Sequence, residues 1–344
     1  KNALNVQNPA TAVSMLNVAV GKNAGEAVTT GTGNTLIGAL AADALTTGTD
    51  NVAVGRAALG ADTLGRRSIA IGVNALSSQN FTTTVSSYNV SIGYEAAVNM
   101  TTGQRNIAIG AFTLDADTLG QRSVGVGYAT LGAQNFTTAT ETYNTAVGYE
   151  AGNAITTGIH NVLIGGGAGD ALTDADYNIA IGKGALSADT LGSKSIAIGE
   201  GTLAAQNFTT ATSTQNIAIG YTAGGKITTG NQNTIIGGLA GEDLTTGINN
   251  VAIGCQTLRN CTKGQRNVAI GLNALETQNI TTATDSYNTA VGALAGTAIT
   301  TGTKNTLVGG AAGDGISDGV QNTALGYLAL SAGAASGNTA IGNE

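Results

Sequence analysis

The chain has 344 residues, of which 52 are Gly, one is Pro, none is Trp and only 10% are charged. Its 42% hydrophobic content excludes a disordered chain, and its net charge of −7, which forms no acidic or basic block, argues against a nucleic-acid partner. No stretch is long and apolar enough to insert into a membrane, and no N-terminal signal pattern is visible. Because the chain begins at Lys1 and ends within a repeating pattern at Glu344, we expect a processed product or a fragment.

The first recognisable element is a five-residue signature that begins at Asn17 and recurs nineteen times: Asn or Ser, any residue, a small residue, an aliphatic residue, and Gly. The signature Gly residues are 17 residues apart, except for four spacings of 21 and a last one of 16. The 21-residue spacings close a period of 72 residues, and one such period lacks a 17-residue unit. A unit can be lost in this way only if units stack in one dimension, which predicts a solenoid. We expect a lead-in segment over residues 1–16 and one continuous all-β, parallel β-solenoid (β-roll) of about 19 coils over residues 17–344.

Each signature predicts a short strand with two apolar faces. The residue before Gly is Val, Ile or Leu in all nineteen coils and shares a face with the residue two places earlier. The residue between them is Ala in thirteen coils. Because both faces are apolar, we expect the Val and Ile face to fill the coil and the alanine face to contact another copy of the chain. The alanines expected at this interface include Ala19, Ala53, Ala70, Ala108, Ala180 and Ala252.

The other positions of the coil predict its corners. The first signature residue is Asn in sixteen coils, and an Asn at a fixed place in stacked coils can form a hydrogen-bonded ladder. The signature Gly predicts positive φ or a close approach of two chain segments. A second apolar pair, such as Ala58 and Leu59, is followed by a Thr-Thr-Gly or Asp-Thr-Leu-Gly turn. We therefore expect two short strands and two turns in each coil.

The four 21-residue coils carry insertions at residues 79–83, 134–138, 206–210 and 278–282, which read Gln-Asn-Phe-Thr-Thr or, in the last, Gln-Asn-Ile-Thr-Thr. Three of these coils also place Tyr before the signature Asn. We favour a hydrophobic latch that pins the wider loop or grips a neighbouring chain. The alternative is a row of aromatic platforms for a glycan. The residues concerned are Phe81, Tyr88, Phe136, Tyr143, Phe208 and Tyr287.

No pattern in the sequence predicts an enzyme. His160 is the only His, so a Ser-His-Asp or Cys-His arrangement has no support. The run Gly165–Gly169 lacks the Lys-Ser/Thr of a phosphate-binding loop. Cys255 and Cys261 with a single His do not make a zinc site, and they predict either a local disulfide or two free thiols.

Acidic residues recur at similar places in some coils, but several coils apart: Asp43, Asp170, Asp243 and Asp314. Calcium-binding solenoids place Asp in nearly every repeat, so solvated turn residues are the better interpretation. We therefore expect no catalytic residue, no metal and no cofactor.

The run Asn-Val-Ala-Val-Gly at residues 51–55 and the runs Ser-Ile-Ala-Ile-Gly at 68–72 and 195–199 resemble the head repeat of YadA-like trimeric autotransporter adhesins. Residues 144–152 and 300–309 also resemble repeats of bacteriophage tail-fibre proteins. The resemblance covers residues 17–342 and implies a left-handed β-roll assembled as a homotrimer. The 17-residue period and the 21-residue coils depart from the adhesin pattern, and no coiled-coil stalk, membrane anchor or intramolecular chaperone segment is visible.

These observations lead us to expect a structural and adhesive extracellular fibre segment, foremost a phage tail-fibre shaft that presents a host receptor-binding end. The head of a bacterial trimeric adhesin is the alternative. A self-assembling filament subunit is a third, because neither terminus shows a polar cap. An ice-binding solenoid is disfavoured, since it would place Thr at alternate positions in every coil. The expected partners are copies of this chain, stacked end to end in the filament case, and a cell-surface glycan or receptor; the expected location is a virion or a bacterial surface.

Overall fold

The computed structural model describes residues 2–9, 13–333 and 335–343. Lys1, residues 10–12, Ala334 and Glu344 lie outside the described residues. The described residues form β-strands and turns without a helix, and parallel strands recur with the 17-residue spacing of a β-solenoid, which confirms the predicted fold class. The chain forms two compact units, residues 1–174 and 175–344.

Every signature forms one three-residue strand whose centre is the small residue. The first unit contains nine such strands: Val18–Val20, Thr35–Ile37, Val52–Val54, Ile69–Ile71, Val90–Ile92, Ile107–Ile109, Val124–Val126, Thr145–Val147 and Val162–Ile164. The second unit contains ten: Ile179–Ile181, Ile196–Ile198, Ile217–Ile219, Thr234–Ile236, Val251–Ile253, Val268–Ile270, Thr289–Val291, Thr306–Val308, Thr323–Leu325 and Thr339–Ile341.

Within each unit, neighbouring strands pair in parallel with the same signature positions aligned. Ala19 lies opposite Leu36, for example, and Ala252 lies opposite Ala269. The register is kept across a 21-residue coil, here called a wide coil, where Ile69 lies opposite Val90. The four additional residues of a wide coil are therefore accommodated outside this strand.

The expectation of a second strand in every coil was wrong. In the described residues, two-residue strands occur only where a wide coil follows a 17-residue coil; elsewhere the chain returns through turns. The parallel pairs are Gly65–Arg66 with Val85–Ser86, Gly120–Gln121 with Thr140–Glu141, Gly192–Ser193 with Thr212–Ser213, and Gly264–Gln265 with Thr284–Asp285.

The two faces of the strands are the reverse of the sequence-based assignment. The central alanines point into their own coil, where they have no exposed surface, and the flanking Val and Ile side chains point outward. The alanines without exposed surface include Ala53, Ala70, Ala108, Ala180 and Ala252, while Ala19 in the first strand is partly exposed. The apolar pair of the same coil, such as Ala58 and Leu59, is also fully buried. A close-packed interior of this kind suits a methyl side chain at the strand centre. The assignment of these alanines to an interface between chains was therefore wrong.

The predicted asparagine ladder runs through the interior of each unit. Asn51 Nδ2 donates to Asn34 Oδ1 at 3.2 Å and to the carbonyl oxygen of Gly65 at 3.0 Å. Its Oδ1 accepts a hydrogen bond of 2.9 Å from the backbone N–H of Ser68. Asn51 has no exposed surface, so these bonds satisfy groups that water does not reach. Asn250 makes the corresponding bonds in the second unit.

The segment expected to be a separate lead-in lies on the first coil. The Leu4 N–H donates to the carbonyl oxygen of Ala24 at 3.1 Å, and the Asn8 N–H donates to that of Thr29 at 3.2 Å. These bonds span the same numbers of residues as two bonds of a wide coil, from Leu76 to Ala96 and from Asn80 to Thr101. Residues 2–9 therefore follow the hydrogen-bond pattern of a wide coil.

The signature Gly satisfies both constraints that the sequence predicted. Gly237 has a φ of 137°, in a region that L-residues rarely adopt. A Cβ placed on Gly237 would lie 2.3 Å from the carbonyl oxygen of Gly254 in the next coil. The adjacent Gly238 lacks both features, since its φ is not positive and a Cβ placed on it would meet nothing within 4 Å.

We expect Gly237→Ala to lower the free energy of unfolding by about 2–5 kcal/mol, because the new methyl group overlaps a fixed backbone and the φ is unfavourable. The control Gly238→Ala should change it by less than about 1 kcal/mol, in the stabilising direction. Urea unfolding followed by circular dichroism measures both variants. Equal stability of the two variants would contradict the close approach of Gly237 to the next coil.

Candidate functional site

The outward face of the three-residue strands forms an apolar surface on each unit, here called the sheet face. Its two columns are the second and fourth signature positions, and neither column contains Asp, Glu, Lys or Arg. The fourth position is Val, Ile or Leu in every coil. Most of these side chains are partly exposed, and the terminal ones are more so: Val20 is 59% and Ile341 is 73% exposed.

Strand geometry sets the size of this surface. Three residues at about 3.3 Å each and strands about 4.8 Å apart give roughly 50 Å² per coil, or roughly 450 Å² for each unit. Monomeric proteins rarely expose apolar patches beyond roughly 300–600 Å², and patches of this size commonly mark interaction sites. The sheet face, rather than the alanines, is the surface suited to contact another chain.

The wide coils introduce a second feature, a buried polar cluster in place of part of the apolar core. The core position that holds Leu45 in one coil holds Asp62 in the next and Gln79 in the wide coil that follows, and none of these residues is exposed. Gln79 Nε2 donates to Asp62 Oδ2 at 2.6 Å and to Ser68 Oγ at 2.8 Å. Gln79 Oε1 accepts a hydrogen bond of 2.8 Å from Asn89 Nδ2. Gln79 therefore connects the ladder residues of two coils that an extra four residues separate.

Asp62 also ties the insertion to the preceding turn. Its Oδ1 accepts hydrogen bonds from the backbone N–H groups of Gly65 at 3.0 Å and Phe81 at 3.3 Å. The Thr63 hydroxyl donates to the carbonyl oxygen of Phe81 at 3.1 Å. The Asp-Thr-Leu-Gly turn is thus the anchor of the insertion in the following coil.

The same cluster recurs at the second and third wide coils. Gln134 donates to Asp117 at 2.6 Å and to Ser123 at 2.9 Å. Gln206 donates to Asp189 and Ser195 in the same way. The three Ser residues that interrupt the asparagine ladder are therefore those that a Gln from a wide coil contacts.

Burial raises the pKa of the Asp62 and Asp117 carboxyl groups above the ordinary value, although hydrogen bonds from Gln79 and Gln134 and from backbone N–H groups lower it. Each cluster contains no cationic side chain that would offset the cost of burying a carboxylate. The hydrogen bonds of Asp62 are therefore its main stabilisation in the ionised form.

The fourth wide coil has a modified cluster. Cys261 occupies the position of Asp62, and Asn267 occupies that of Ser68. Gln278 Nε2 lies 3.4 Å from Asn267 Oδ1, and Gln278 Oε1 is buried without a hydrogen-bond partner. Both cysteines are free thiols, with Cys255 exposed and Cys261 buried. Of the two predicted states, a local disulfide and two free thiols, the structure has the second. Burial raises the pKa of the Cys261 thiol to about 11, so this position is neutral at neutral pH.

The aromatic residues of the insertions separate into a buried and an exposed group. Phe81, Phe136 and Phe208 are only 4%, 6% and 7% exposed, as is Ile280 at 5%. This burial supports the latch interpretation and removes the three Phe rings as surface platforms for a glycan. The tyrosines Tyr88, Tyr143 and Tyr287 are between 41% and 49% exposed.

Each of these three tyrosines lies against an arginine of the preceding coil, in a pair here called the Arg–Tyr clamp. The guanidinium carbon lies 5.6 Å from the ring centroid in Arg67–Tyr88, 5.3 Å in Arg122–Tyr143 and 5.6 Å in Arg266–Tyr287. In the first two clamps the arginine also donates a hydrogen bond to the tyrosine hydroxyl. The clamp therefore joins the rim of a wide coil to the coil before it.

Acids of the two-residue strands that follow the insertions orient two of these arginines. Glu141 forms an ion pair of 2.8 Å with Arg122, and Asp285 forms one with Arg266. These pairs are partly exposed, so each contributes little stability on its own and serves mainly to orient the arginine.

A second row of aromatic side chains lies on the surface of the first unit. The rings of Tyr94, Phe112, Tyr128 and Tyr149 follow one another with centroid separations of 5.4, 5.8 and 5.5 Å. The place of Tyr94 and Tyr149 directly after a signature Gly is visible in the sequence, but the continuous row that they form with Phe112 and Tyr128 was not predicted.

The acidic residues Asp43, Asp170, Asp243 and Asp314 are partly exposed turn residues. Burial raises the pKa of Asp43 and Asp170, so solvation of these two is incomplete. In the part of the chain that the structure describes, no three His, Cys, Asp or Glu side chains are grouped as metal ligands. A search of the same residues for a helix with the length and hydropathy of a membrane span found none.

Comparison of the chain with protein-family models and with curated protein sequences gave no match.

We expect Asp62→Ala to lower the free energy of unfolding by about 2–4 kcal/mol at about pH 7, because three buried donors lose their acceptor. The carboxyl binds its proton more tightly in the folded chain than in the unfolded chain, where its pKa is about 4. The contribution of Asp62 to stability is therefore greatest at low pH and falls as the pH rises through the raised pKa. The loss caused by Asp62→Ala should be larger at about pH 4.5 than at about pH 7.

Urea unfolding at both pH values measures this difference. Asp174→Ala is the matched control, because Asp174 is exposed in the same unit, and its effect should be below about 1 kcal/mol. A smaller loss for Asp62→Ala at the lower pH would contradict the assigned direction of the pKa.

We expect Phe208→Ala to lower the free energy of unfolding by about 3–5 kcal/mol, because it empties a packed site under the insertion. Tyr221→Ala is the control, since Tyr221 follows in the next coil and is 59% exposed. Calorimetric melting of both variants is the measurement. An unchanged melting temperature for Phe208→Ala would show that the ring is not a latch.

Proposed function

We propose that this chain is a structural segment of an extracellular fibre, in which three copies associate through the sheet face. Within that class we propose the shaft of a phage tail fibre, which holds a receptor-binding end away from the particle. The observation that carries the proposal is the uncharged sheet face, which recurs coil after coil in both units.

The repeat and the composition of the sheet face support association between copies. The sheet face of each unit presents roughly 450 Å² of strand surface, about half of the roughly 800 Å² that each partner buries in a stable interface. The side chains of the sheet face repeat once per coil. A second copy of the chain has the same repeat, so its side chains can meet those of the first copy in every coil. Seven of the nineteen second positions are Thr and the other side chains of the sheet face are Val, Ile or Leu, so the face is uncharged and mostly apolar, as is typical of permanent assemblies.

The interior supports a load-bearing role. Each coil is joined to the next by parallel strand pairing and by the asparagine ladder, for example between Asn34 and Asn51. These bonds are buried and run from one coil to the next. A force along the stack is therefore shared by several hydrogen bonds between each pair of coils. A shaft needs this kind of stiffness, and a catalytic or small-molecule role does not require it.

A bacterial adhesin head is the alternative, and it would use the same assembly of copies. The filament subunit is favoured by one separate observation. In the described residues the strand Val18–Val20 pairs only with Thr35–Ile37, and Thr339–Ile341 pairs only with Thr323–Leu325. Within the described residues each of these two strands has one edge without a strand partner, and a filament would place another copy at such an edge.

We expect the wild-type chain to have three times its 33.7 kDa mass in solution, measured by analytical ultracentrifugation. The double variant Ile219→Lys/Ile236→Lys, which places two charges on the sheet face, should sediment as a folded monomer. The control Gln215→Lys/Gln232→Lys adds the same charges to the same two coils at exposed positions outside the sheet face, and should keep the wild-type mass. Ala252→Glu, which buries a charge inside the coil, should unfold the chain instead.

A wild-type monomer, or an Ile219→Lys/Ile236→Lys variant that retains the wild-type mass, would contradict the proposed assembly. A mass that grows with concentration beyond three chains would favour the end-to-end filament.

A further inference from the structure

The third wide coil lacks the Arg–Tyr clamp. At the two clamp positions it has Lys194 and Gln215 in place of Arg and Tyr. Ser213 stands at the position of the acids Glu141 and Asp285 that orient the arginine in the second and fourth wide coils. Both members of the clamp are therefore replaced together at this one insertion, whereas the acid is also absent from the first wide coil, where Ser86 stands at its position.

A cleft of about 300 Å³ lies at this place in the second unit. Its lining comprises Asp176, Tyr177, Ser193, Lys194, Ala211, Thr212 and Ser213. At the other three insertions, the residue at the position of Lys194 is an arginine that extends over a tyrosine ring. The cleft thus occupies the region where the clamp lies in the other wide coils.

The lining combines one aromatic ring with polar groups of both signs. Tyr177 is 51% exposed, so one part of its ring is accessible to a ligand. Ser193 Oγ accepts a hydrogen bond of 3.0 Å from the Asp176 backbone N–H, and the Lys194 N–H donates to the Asp176 carbonyl oxygen at 3.0 Å. These bonds connect the two rims of the cleft, whose lining also contains hydroxyl groups, one carboxylate and one ammonium group.

We propose that this cleft binds a neutral sugar unit of a glycan. A pyranose ring offers an apolar C–H face for Tyr177 and hydroxyl groups that both donate and accept hydrogen bonds, which match Asp176, Lys194 and Ser213. The charges of Asp176 and Lys194 cancel, so the cleft carries no net attraction for a phosphate, a sulfate or a nucleic acid. A volume of about 300 Å³ lies at the small end of ligand sites and suits one or two sugar units.

The cleft is independent of the proposed fibre role, because it lies at the rim of a wide coil and contains no residue of the sheet face. The wide coil supplies residues 211–213 of the lining, the coil before it supplies Ser193 and Lys194, and the coil before that supplies Asp176 and Tyr177. A binding site in this position depends on three successive coils.

The test is titration of the 344-residue chain with cellobiose, lactose, maltose and N,N′-diacetylchitobiose, followed by calorimetry and by ligand-observed nuclear magnetic resonance. At least one disaccharide should bind saturably. Tyr177→Ala should raise its Kd by at least about tenfold. Tyr327→Ala is the matched control, since Tyr327 is 58% exposed in the same unit and lies outside the cleft, and it should leave Kd unchanged.

A second variant fills the cleft without removing a lining ring. Lys194→Arg/Gln215→Tyr rebuilds the clamp of the other wide coils, so it should fold normally and also raise Kd by at least about tenfold. Binding that survives this variant would overturn the proposal, as would the absence of saturable binding for every disaccharide in the panel. A change of oligomeric mass in the clamp variant would likewise overturn it, because the cleft would then be a contact between chains.

Discussion

A column of asparagines, present in sixteen of the nineteen coils and buried in most of them, is the constraint on which the rest of the structure depends. The side chain of Asn51, for example, accepts a hydrogen bond from the next coil and donates one to the previous coil, so its polar groups are satisfied only when coils stack at a fixed spacing. That spacing in turn brings each signature Gly within contact of the next one, where no side chain fits. The alanine at the strand centre and the outward Val and Ile residues then repeat in straight columns. The straight columns of the sheet face therefore follow from the coil spacing that the interior asparagine ladder sets.

The wide coils show how the ladder tolerates an interruption. Four extra residues separate Ser68 from Asn89, and Gln79 provides the amide that bridges them, with Asp62 as the acceptor below. The insertion is consequently built from two coils, one that supplies Asp and Ser and one that supplies Gln and Phe. Its rim and its interior vary independently, since the Arg–Tyr clamp is replaced only in the third wide coil, whereas Asp and Ser of the buried cluster are replaced by Cys261 and Asn267 only in the fourth. The proposed binding cleft therefore belongs to an insertion whose buried cluster is unchanged.

Much of this fold could be predicted from the sequence, because period, strand position, ladder and glycine corner each depend on one residue type at one offset. The orientation of the strand could not, since both faces are apolar and only the width of the coil decides which one is inside. Ala53 and Ala70 fit that width, and periodicity alone carries no information about it. The buried clusters were readable in principle, because Ser68, Ser123 and Ser195 all precede a wide coil. Asp62 resembled an ordinary turn residue, and only the three-dimensional alignment with Leu45 places it in the core.

The coupling between Asp62 and Gln79 also sets the rules by which such a chain can lengthen or shorten over evolution. A coil with an apolar residue at the position of Leu45 has no obligatory neighbour, so gene duplication or deletion can add or remove it singly. The chain has two such coils before the first Asp62–Gln79 pair and one, with Met100, before the second. Loss of an Asp coil or of the Gln coil after it would leave buried polar groups unpaired, so the two are most easily gained or lost together. The fourth wide coil shows the cost of separating them, since Gln278 follows Cys261 instead of Asp and its Oε1 is buried without a hydrogen-bond partner. Length therefore changes most readily in two sizes, a single apolar coil and a doublet.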